Sequence, residues 1–189
     1  LFTRIPVLGG WSMVQIMMLY ALVAFAFGLG NIVCGNTIFV ARAVVRGELD
    51  YYLALPADPL LHLLVSRMHL SAWGDLVFGL LVFLLADPDR WRHLPLFLLV
   101  GTLAGLIFVA FSVLVGSLAF WVGNADNLAG QAINALITFG MYPIEIFPGA
   151  VQWLLYTLIP AAFIGSVPAR LLTDFSLEQL GILAAVAAG

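Results

Sequence analysis

Lysine is absent from the 189 residues, and all seven basic side chains are arginine. A phosphate-binding loop of the form G-x-x-x-x-G-K-[ST] requires that lysine, so the chain carries no nucleotide-hydrolysing site of that kind. Charge of either sign is scarce, at 9% against the ~25% of soluble domains. Hydrophobic residues reach 63%, which excludes an ordinary soluble domain. Seven basic against ten acidic residues give a net charge of −3, leaving no basic face for nucleic acid. Cys34 is the only cysteine, so an internal disulfide and a cysteine metal cluster are both excluded. Within its apolar segment it reads as a small buried hydrophobe. Leu1 to Gly10 has no basic region leading to a cleavage site, and no signal peptide is expected. Linkers, low-complexity tracts and long internal repeats are missing too, so residues 1–189 read as one membrane domain.

Long apolar runs fill the chain instead. Ile5 to Ala41 and Leu94 to Ala125 contain no Asp, Glu, Lys, Arg or His. Each exceeds the ~20 residues that cross a bilayer as a helix, so the fold class is an all-α polytopic membrane protein. The first span is predicted within Trp11 to Ala41, with Trp11 at one interface and Arg42 at the other. That stretch exceeds one bilayer and must tilt or emerge. A second helix is predicted over Ser66 to Ala86, then a tight polar turn over Asp87 to His93 in which Pro88 cannot continue a helix. Leu94 to Trp121 is the clearest span, and its Gly101 and Gly105 have the small-xxx-small spacing that permits close helix contact. Val122 to Asn127 reads as a polar turn, and Leu128 to Tyr142 as a shorter helix carrying Gln131 and Asn134.

Beyond that, prolines break the pattern. Pro148, Pro160 and Pro168 interrupt Glu145 to Arg170, and a helix between the first two is only ~17 Å long. Residues 143–170 are therefore expected to form re-entrant or interfacial helices, because irregular backbone at membrane depth needs cover from protein or a water-filled cavity. Ser176 to Gln179 fits a capping box opening the last span. Residue 1 is Leu and the chain ends in the apolar run Leu180 to Gly189, so the sequence is expected to be part of a longer polypeptide, cut within a span. Arginine positions do not orient the chain. Arg42, Arg46 and Arg67 fall on one side, and Arg4, Arg90, Arg92 and Arg170 on the other.

Few polar residues sit within the apolar stretches. Asp75, roughly 12 Å along a helix that starts near Ser66, costs about 2.5–3.5 kcal/mol at membrane depth unless paired. It is a candidate for the substrate path or a proton-sensitive gate, against the plainer role of capping a helix or pairing with an arginine. Asn31 and Asn36 are assigned interhelical hydrogen bonds, as are Gln131 and Asn134, with Asn134 a candidate lining of the substrate path. Glu145, between Pro143 and Pro148, is a candidate gate. His62 and His69 share a helix face but lack a third ligand, so no metal site is assigned. Trp11, Trp73, Trp91 and Trp153 read as interface anchors or packing residues.

The one long charged, proline-punctuated stretch between two apolar segments is the elbow at residues 42–59, RAVVRGELDYYLALPADP. Gly47 permits a break, Leu49 and Leu53 share a face at i, i+4, Glu48 and Asp50 stay solvated, and Pro56 ends a short helix. Taken in isolation, a segment of this kind reads as a solvated connector before it reads as a docking site.

Arg46 to Leu53, followed by Leu55-Pro56 and Asp58-Pro59-Leu60, resembles the cytoplasmic loop of ABC-type exporter permeases of the second exporter class. Gly10-Trp11-Ser12, Ser71 to Gly79, Ser117 to Trp121, Tyr142 to Pro148 and Ile159 to Phe163 resemble further segments of that family, in order. Within that family the chain is similar to the subgroup of transport-system permease components. The resemblance implies about six transmembrane helices in the full chain, the first absent here and the last truncated. It also implies a second permease copy or a homologous permease, and ABC ATPase subunits that bind ATP and magnesium, with no cofactor in this chain. The location it implies is a plasma membrane, the inner membrane of a bacterium, crossed several times and contacted by membrane lipid. Arg46, Gly47, Glu48, Leu49, Asp50, Leu53 and Pro56 then form a cytoplasmic coupling segment that seats on the ATPase and transmits its closure. Apolar walls with scattered Asn and Gln suit a hydrophobic or amphipathic substrate. A channel or scaffold without ATP coupling is the alternative. An intramembrane enzyme fits less well, since aspartyl chemistry needs paired aspartates and Asp75 stands alone.

Overall fold

A computed structural model describes residues 10–122 and 125–188, and every regular element among them is helical. Helix α1 (Met13–Val33) starts at a reciprocal capping box: the Gln15 N–H donates to Ser12 Oγ at 3.3 Å, and the Ser12 N–H donates to Gln15 Oε1 at 2.9 Å. Its 21 residues extend about 31 Å, enough to cross a bilayer. The excess apolar length after Val33 is taken up by a break in the helix. Gly35 lets the backbone of Arg67 and Met68 approach where a Cβ would collide. The Thr37 hydroxyl donates to the Cys34 carbonyl, and a 3-10 turn at Thr37–Phe39 leads into α2 (Val40–Val45).

The elbow follows as α3 (Leu49–Leu53) and α4 (Pro59–Val65), and the chain returns as α5 (Ala72–Ala86). The predicted helix from Ser66 thus starts six residues late. Ser66 Oγ donates to the Leu63 carbonyl at 2.7 Å, and Asn36 Nδ2 donates to the same carbonyl at 3.0 Å and to Ser66 Oγ at 3.1 Å. These bonds satisfy the end of α4 and turn the chain out of the helix. Asp75 consequently lies in the first turn of α5, not well along a longer helix. A carboxylate there meets the positive end of the helix dipole.

Helix α5 packs antiparallel to α1 at very short range. A Cβ on Gly28 would stand 2.5 Å from the Leu76 nitrogen, and one on Gly79 would stand 2.5 Å from the Ala21 carbonyl oxygen. The opposite face of α5 carries exposed Val77, Phe78, Leu81 and Leu85, a surface suited to lipid. In the turn that follows, nearly buried Asp87 accepts from the Asp89 N–H at 2.9 Å and meets His93 Nδ1 at 2.7 Å. Helix α6 (Arg90–Ser117) begins there, four residues before the predicted start, and runs parallel to α1. Gly101 faces the Phe25 ring and Gly105 the Ala26 backbone, as the small-residue spacing predicts. Phe97 stacks on Phe83 and meets Phe25 edge to face, so one aromatic cluster joins α1, α5 and α6.

Helix α7 (Ala125–Gly140) returns from the elbow end, starting earlier than predicted; Gly123 and Asn124 of the expected polar turn lie outside the described residues. The proline-broken segment forms a 3-10 turn (Ile144–Ile146), α8 (Gly149–Thr157), α9 (Ala161–Ile164) and α10 (Ser166–Thr173). Helix α8 is bent by 71° against the α9–α10 pair, the shape of a broken span or a re-entrant loop. Buried Ser166 accepts from the Ile144 N–H at 3.0 Å and holds the turn against α10. The Gln179 N–H then donates to Ser176 Oγ at 3.5 Å at the start of α11 (Leu177–Ala188), where the capping box was expected.

Among the described residues, α1 and α6 are long and apolar enough to cross a membrane, and α8 with α9–α10 makes a third if taken as one span. This is an all-α membrane protein with fewer full-length spans than the six-helix reading implies. Two causes are visible: the Ser66 break shortens α5 to 15 residues, and the prolines divide the segment before α11. Arg42, Arg46 and Arg67 gather at one end of the bundle, whereas Arg170 lies beside Trp11 at the other, where α6 also begins.

Candidate functional site

The elbow is built on a glycine. Gly47 has φ +70°, in the left-handed region, at the end of α2. Its N–H donates to the Val44 carbonyl at 3.1 Å and the next N–H, of Glu48, donates to the Ala43 carbonyl at 2.9 Å. This is a Schellman closure, which stops α2 sharply and sends the chain out at an angle. Arg46 caps α2 and is exposed, as are Glu48 and Asp50. Helix α3 ends at Leu53 with Ala54 as its cap, because Pro56 disfavours helical backbone at Leu55. Pro59 then opens α4 at its first position, and the Leu61 N–H donates to the Asp58 carboxylate at 2.8 Å.

The two leucines of α3 behave differently. Leu49 is half-buried and packs with Tyr52 against a small core formed by Val40, Ala43, Leu63 and Leu64. Leu53 is 65% exposed, as is Tyr51. Both leucines border an apolar cavity of about 400 Å³ between α2, α4 and the end of α6. Leu49 therefore seats α3 on the bundle, Leu53 edges the cavity while staying largely exposed, and Glu48, Asp50 and Tyr51 are exposed.

Beside the elbow lies a cavity of about 430 Å³ between the end of α1 and α7. Arg42, Asp126, Gln131 and Asn134 supply its polar wall, and Phe27, Ile38, Ile133 and Ile137 its apolar wall. Arg42 Nε donates to Asp126 Oδ2 at 3.2 Å, and its guanidinium lies 5.0 Å from the Phe39 ring centre. Such a wall suits a molecule with one polar and one apolar end.

The other candidate path residues are not brought together with Asn134. Asp75 lies outside this cavity, partly exposed, with no hydrogen bond or ion pair among the described residues. Among the described residues neither expected partner, a capped helix or an arginine, is present. Glu145 lies at the opposite end of the bundle. It pairs with Arg170 at 2.5 Å and accepts from Trp11 Nε1 at 2.6 Å, while the Arg170 guanidinium sits 5.7 Å from the Trp11 ring centre. This cluster ties the broken segment to the start of α1. No local spacing marks it, since Trp11 and Glu145 are 134 positions apart.

Several smaller expectations need correction. Asn36 does bond across to α4, but it stands beyond the end of α1, and Asn31 bonds back to the Phe27 carbonyl of its own helix at 2.9 Å. His62 and His69 do not share a helix face, because the break at Ser66 separates them; His62 meets Tyr52 and His69 meets Phe39. Among the described residues, no group of three or more His, Cys, Asp or Glu side chains is placed to hold a metal.

An all-helical membrane bundle, a sharply turned polar elbow and a two-faced cavity beside it together fit a transport subunit. No curated protein and no solved structure matches the chain. Residues 1–188 match the family model described as ABC-2 family transporter protein. The chain therefore belongs to the ABC-2 transporter family, as the membrane permease of an ABC transporter.

Proposed function

We propose that this permease is the membrane subunit of an ATP-driven exporter. It forms one domain over residues 1–189, crosses the plasma membrane several times, and works with a second permease copy and separate ATPase subunits that bind ATP and magnesium. Residues 42–59 lie on the cytoplasmic side as the coupling segment, and residues 143–170 form the re-entrant segment on the other side. ATPase closure pushes on α3, the Gly47 turn carries the push into α2, and α2 moves the wall of the cavity that holds Arg42. The substrate is hydrophobic or amphipathic, and Asn134 lies on its path. Asp75 and Glu145 are assigned to the path and its outer gate.

The observation that carries this reading is the projection of α3. A short helix held by Leu49 presents Glu48, Asp50, Tyr51 and Leu53 to the outside, on a segment joined rigidly to α2 by two closure hydrogen bonds. Exposed Tyr51 and Leu53 beside two carboxylates give this anchored helix an apolar and acidic surface suited to a protein partner. The test uses the complex with its ATPase. Glu48→Ala and Leu53→Ser are expected to reduce ATPase co-purification and substrate-stimulated hydrolysis, whereas Leu49→Ser loosens α3 and has the same effect indirectly. Wild-type assembly and coupled hydrolysis in all three variants would show that the elbow does not dock the ATPase.

A further inference from the structure

On the face of α2 turned away from the apolar cavity, Arg42, Arg46 and Arg67 line one small recess of about 60 Å³. Asn36 and Glu48 complete its polar wall. Three guanidiniums drawn from two separate segments repel one another unless something negative lies between them. Arg42 is matched by Asp126, at 3.2 Å. Arg46 and Arg67 have no carboxylate within 4.0 Å among the described residues, and Glu48 forms no ion pair with either. One cationic charge thus remains unmatched after Glu48 is counted. The recess has room for about two waters at ~30 Å³ each, the scale of a single small anionic group rather than a whole ligand.

The neighbourhood identifies the source of that anion. Arg67 lies in the irregular segment between α4 and α5, next to Met68 and Leu70, which are 57% and 80% exposed. Exposed apolar side chains flanking a free guanidinium, at the end of helices long enough to cross a bilayer, make an arrangement for the headgroup boundary. Guanidinium forks bind phosphate oxygens in pairs, and basic recesses at this level attract anionic phospholipids.

We infer that Arg46 and Arg67 clamp the phosphate of an anionic phospholipid, with Arg42 beside it and the acyl chains lying along Met68 and Leu70. Arg42 also lines the larger cavity, so the bound lipid braces the wall that α2 moves. The site shares Arg46 and Glu48 with the elbow proposed to couple to the ATPase, but its clamp also needs Arg67, which lies outside that elbow.

The test uses the full-length permease alone in a neutral detergent, titrated with dioctanoyl phosphatidylglycerol or dioctanoyl phosphatidylcholine, and separately with inorganic phosphate. The wild type is expected to prefer the glycerol lipid, and Arg46→Gln/Arg67→Gln to weaken that binding roughly thirtyfold. Arg92→Gln at the opposite end leaves it unchanged, and Arg46→Lys/Arg67→Lys gives an intermediate loss while confirming that the recess tolerates substitution. Equal binding of the two lipids, or undiminished glycerol-lipid binding in the double glutamine variant, overturns the inference. Inorganic phosphate binding as tightly as the lipid overturns the lipid assignment. If the double glutamine variant keeps its lipid preference but, in a parallel purification of the complex, no longer brings down the ATPase, the arginines serve the protein partner and the inference fails, while the docking proposal stands.

Discussion

Replacing Gly47 separates backbone conformation from contact, because a Cβ at this position meets no atom within 4 Å. The only cost of a side chain is therefore conformational. At φ +70° a residue with a Cβ pays about 1–2 kcal/mol relative to glycine. That energy lowers the population of the closed turn about five- to thirtyfold, if the closure competes with an extended exit from α2. Valine, which is β-branched, falls at or beyond the upper end, alanine nearer the lower, and asparagine costs least because it visits this region readily. The order expected for coupled ATP hydrolysis is glycine, then asparagine, alanine and valine. Amide exchange gives an independent readout, since the Gly47 and Glu48 N–H groups are held at 3.1 and 2.9 Å by Val44 and Ala43. Their protection should fall in the same order, while thermal stability of the bundle changes little. Wild-type coupling in Gly47→Val, with protection of the Glu48 amide lost, refutes the idea that a rigid elbow transmits the push. Undiminished protection refutes the assigned turn itself.

Three further changes address the rest of the structure. Gly79→Ala puts a methyl 2.5 Å from the Ala21 carbonyl oxygen and should destabilise the detergent-solubilised protein by about 1–3 kcal/mol, whereas Gly74→Ala, which meets nothing within 4 Å, should be neutral or mildly stabilising in the same melting experiment. Asn36→Ala removes the donor to the Leu63 carbonyl and Ser66 Oγ; a loss of about 1–3 kcal/mol is expected, and Asn36→Asp should do no better, because an ionised carboxylate cannot donate to that carbonyl. For the cluster at the other end, a double-mutant cycle of Glu145→Gln and Arg170→Gln should give a coupling of about 1 kcal/mol, since both side chains are partly exposed, and a coupling near zero would mean that the contact does not hold the broken segment to α1.

Local chemistry and apolar length were readable in the sequence; the distant contacts were not. The absence of charge from Ile5 to Ala41 and from Leu94 to Ala125 marks α1 and α6 because a bilayer admits little else, and Pro148 and Pro160 bound a short helix, although Pro95 and Pro168 are accommodated inside α6 and α10. Gly47 likewise signals a break on local grounds. The break at Ser66 is different. Nothing near Ser66 forbids a helix, and the chain leaves it because Asn36, thirty positions earlier, supplies a better partner for the end of α4. That contact moved Asp75 into a first turn and separated His62 from His69. Gly28 and Gly79 carry no pair spacing like that of Gly101 and Gly105, since the close approach they permit lies between helices, yet they make the tightest packing between α1 and α5. At the candidate site, Leu49 and Leu53 share a helix face by spacing, but only the packed bundle distinguishes the seated leucine from the outward one.

The central claim, that the elbow meets the ATPase, is tested most directly by cross-linking in native membranes. In a Cys34→Ser background, which removes the chain's only cysteine, Tyr51→Cys places a thiol on the outward face of α3 and Trp91→Cys places one at the opposite end of the bundle. A short bifunctional thiol-to-amine reagent should join the Tyr51→Cys permease to the ATPase, with a yield that changes on ATP binding, and should leave the Trp91→Cys permease unjoined. Cross-linking from Trp91→Cys with none from Tyr51→Cys would contradict the account.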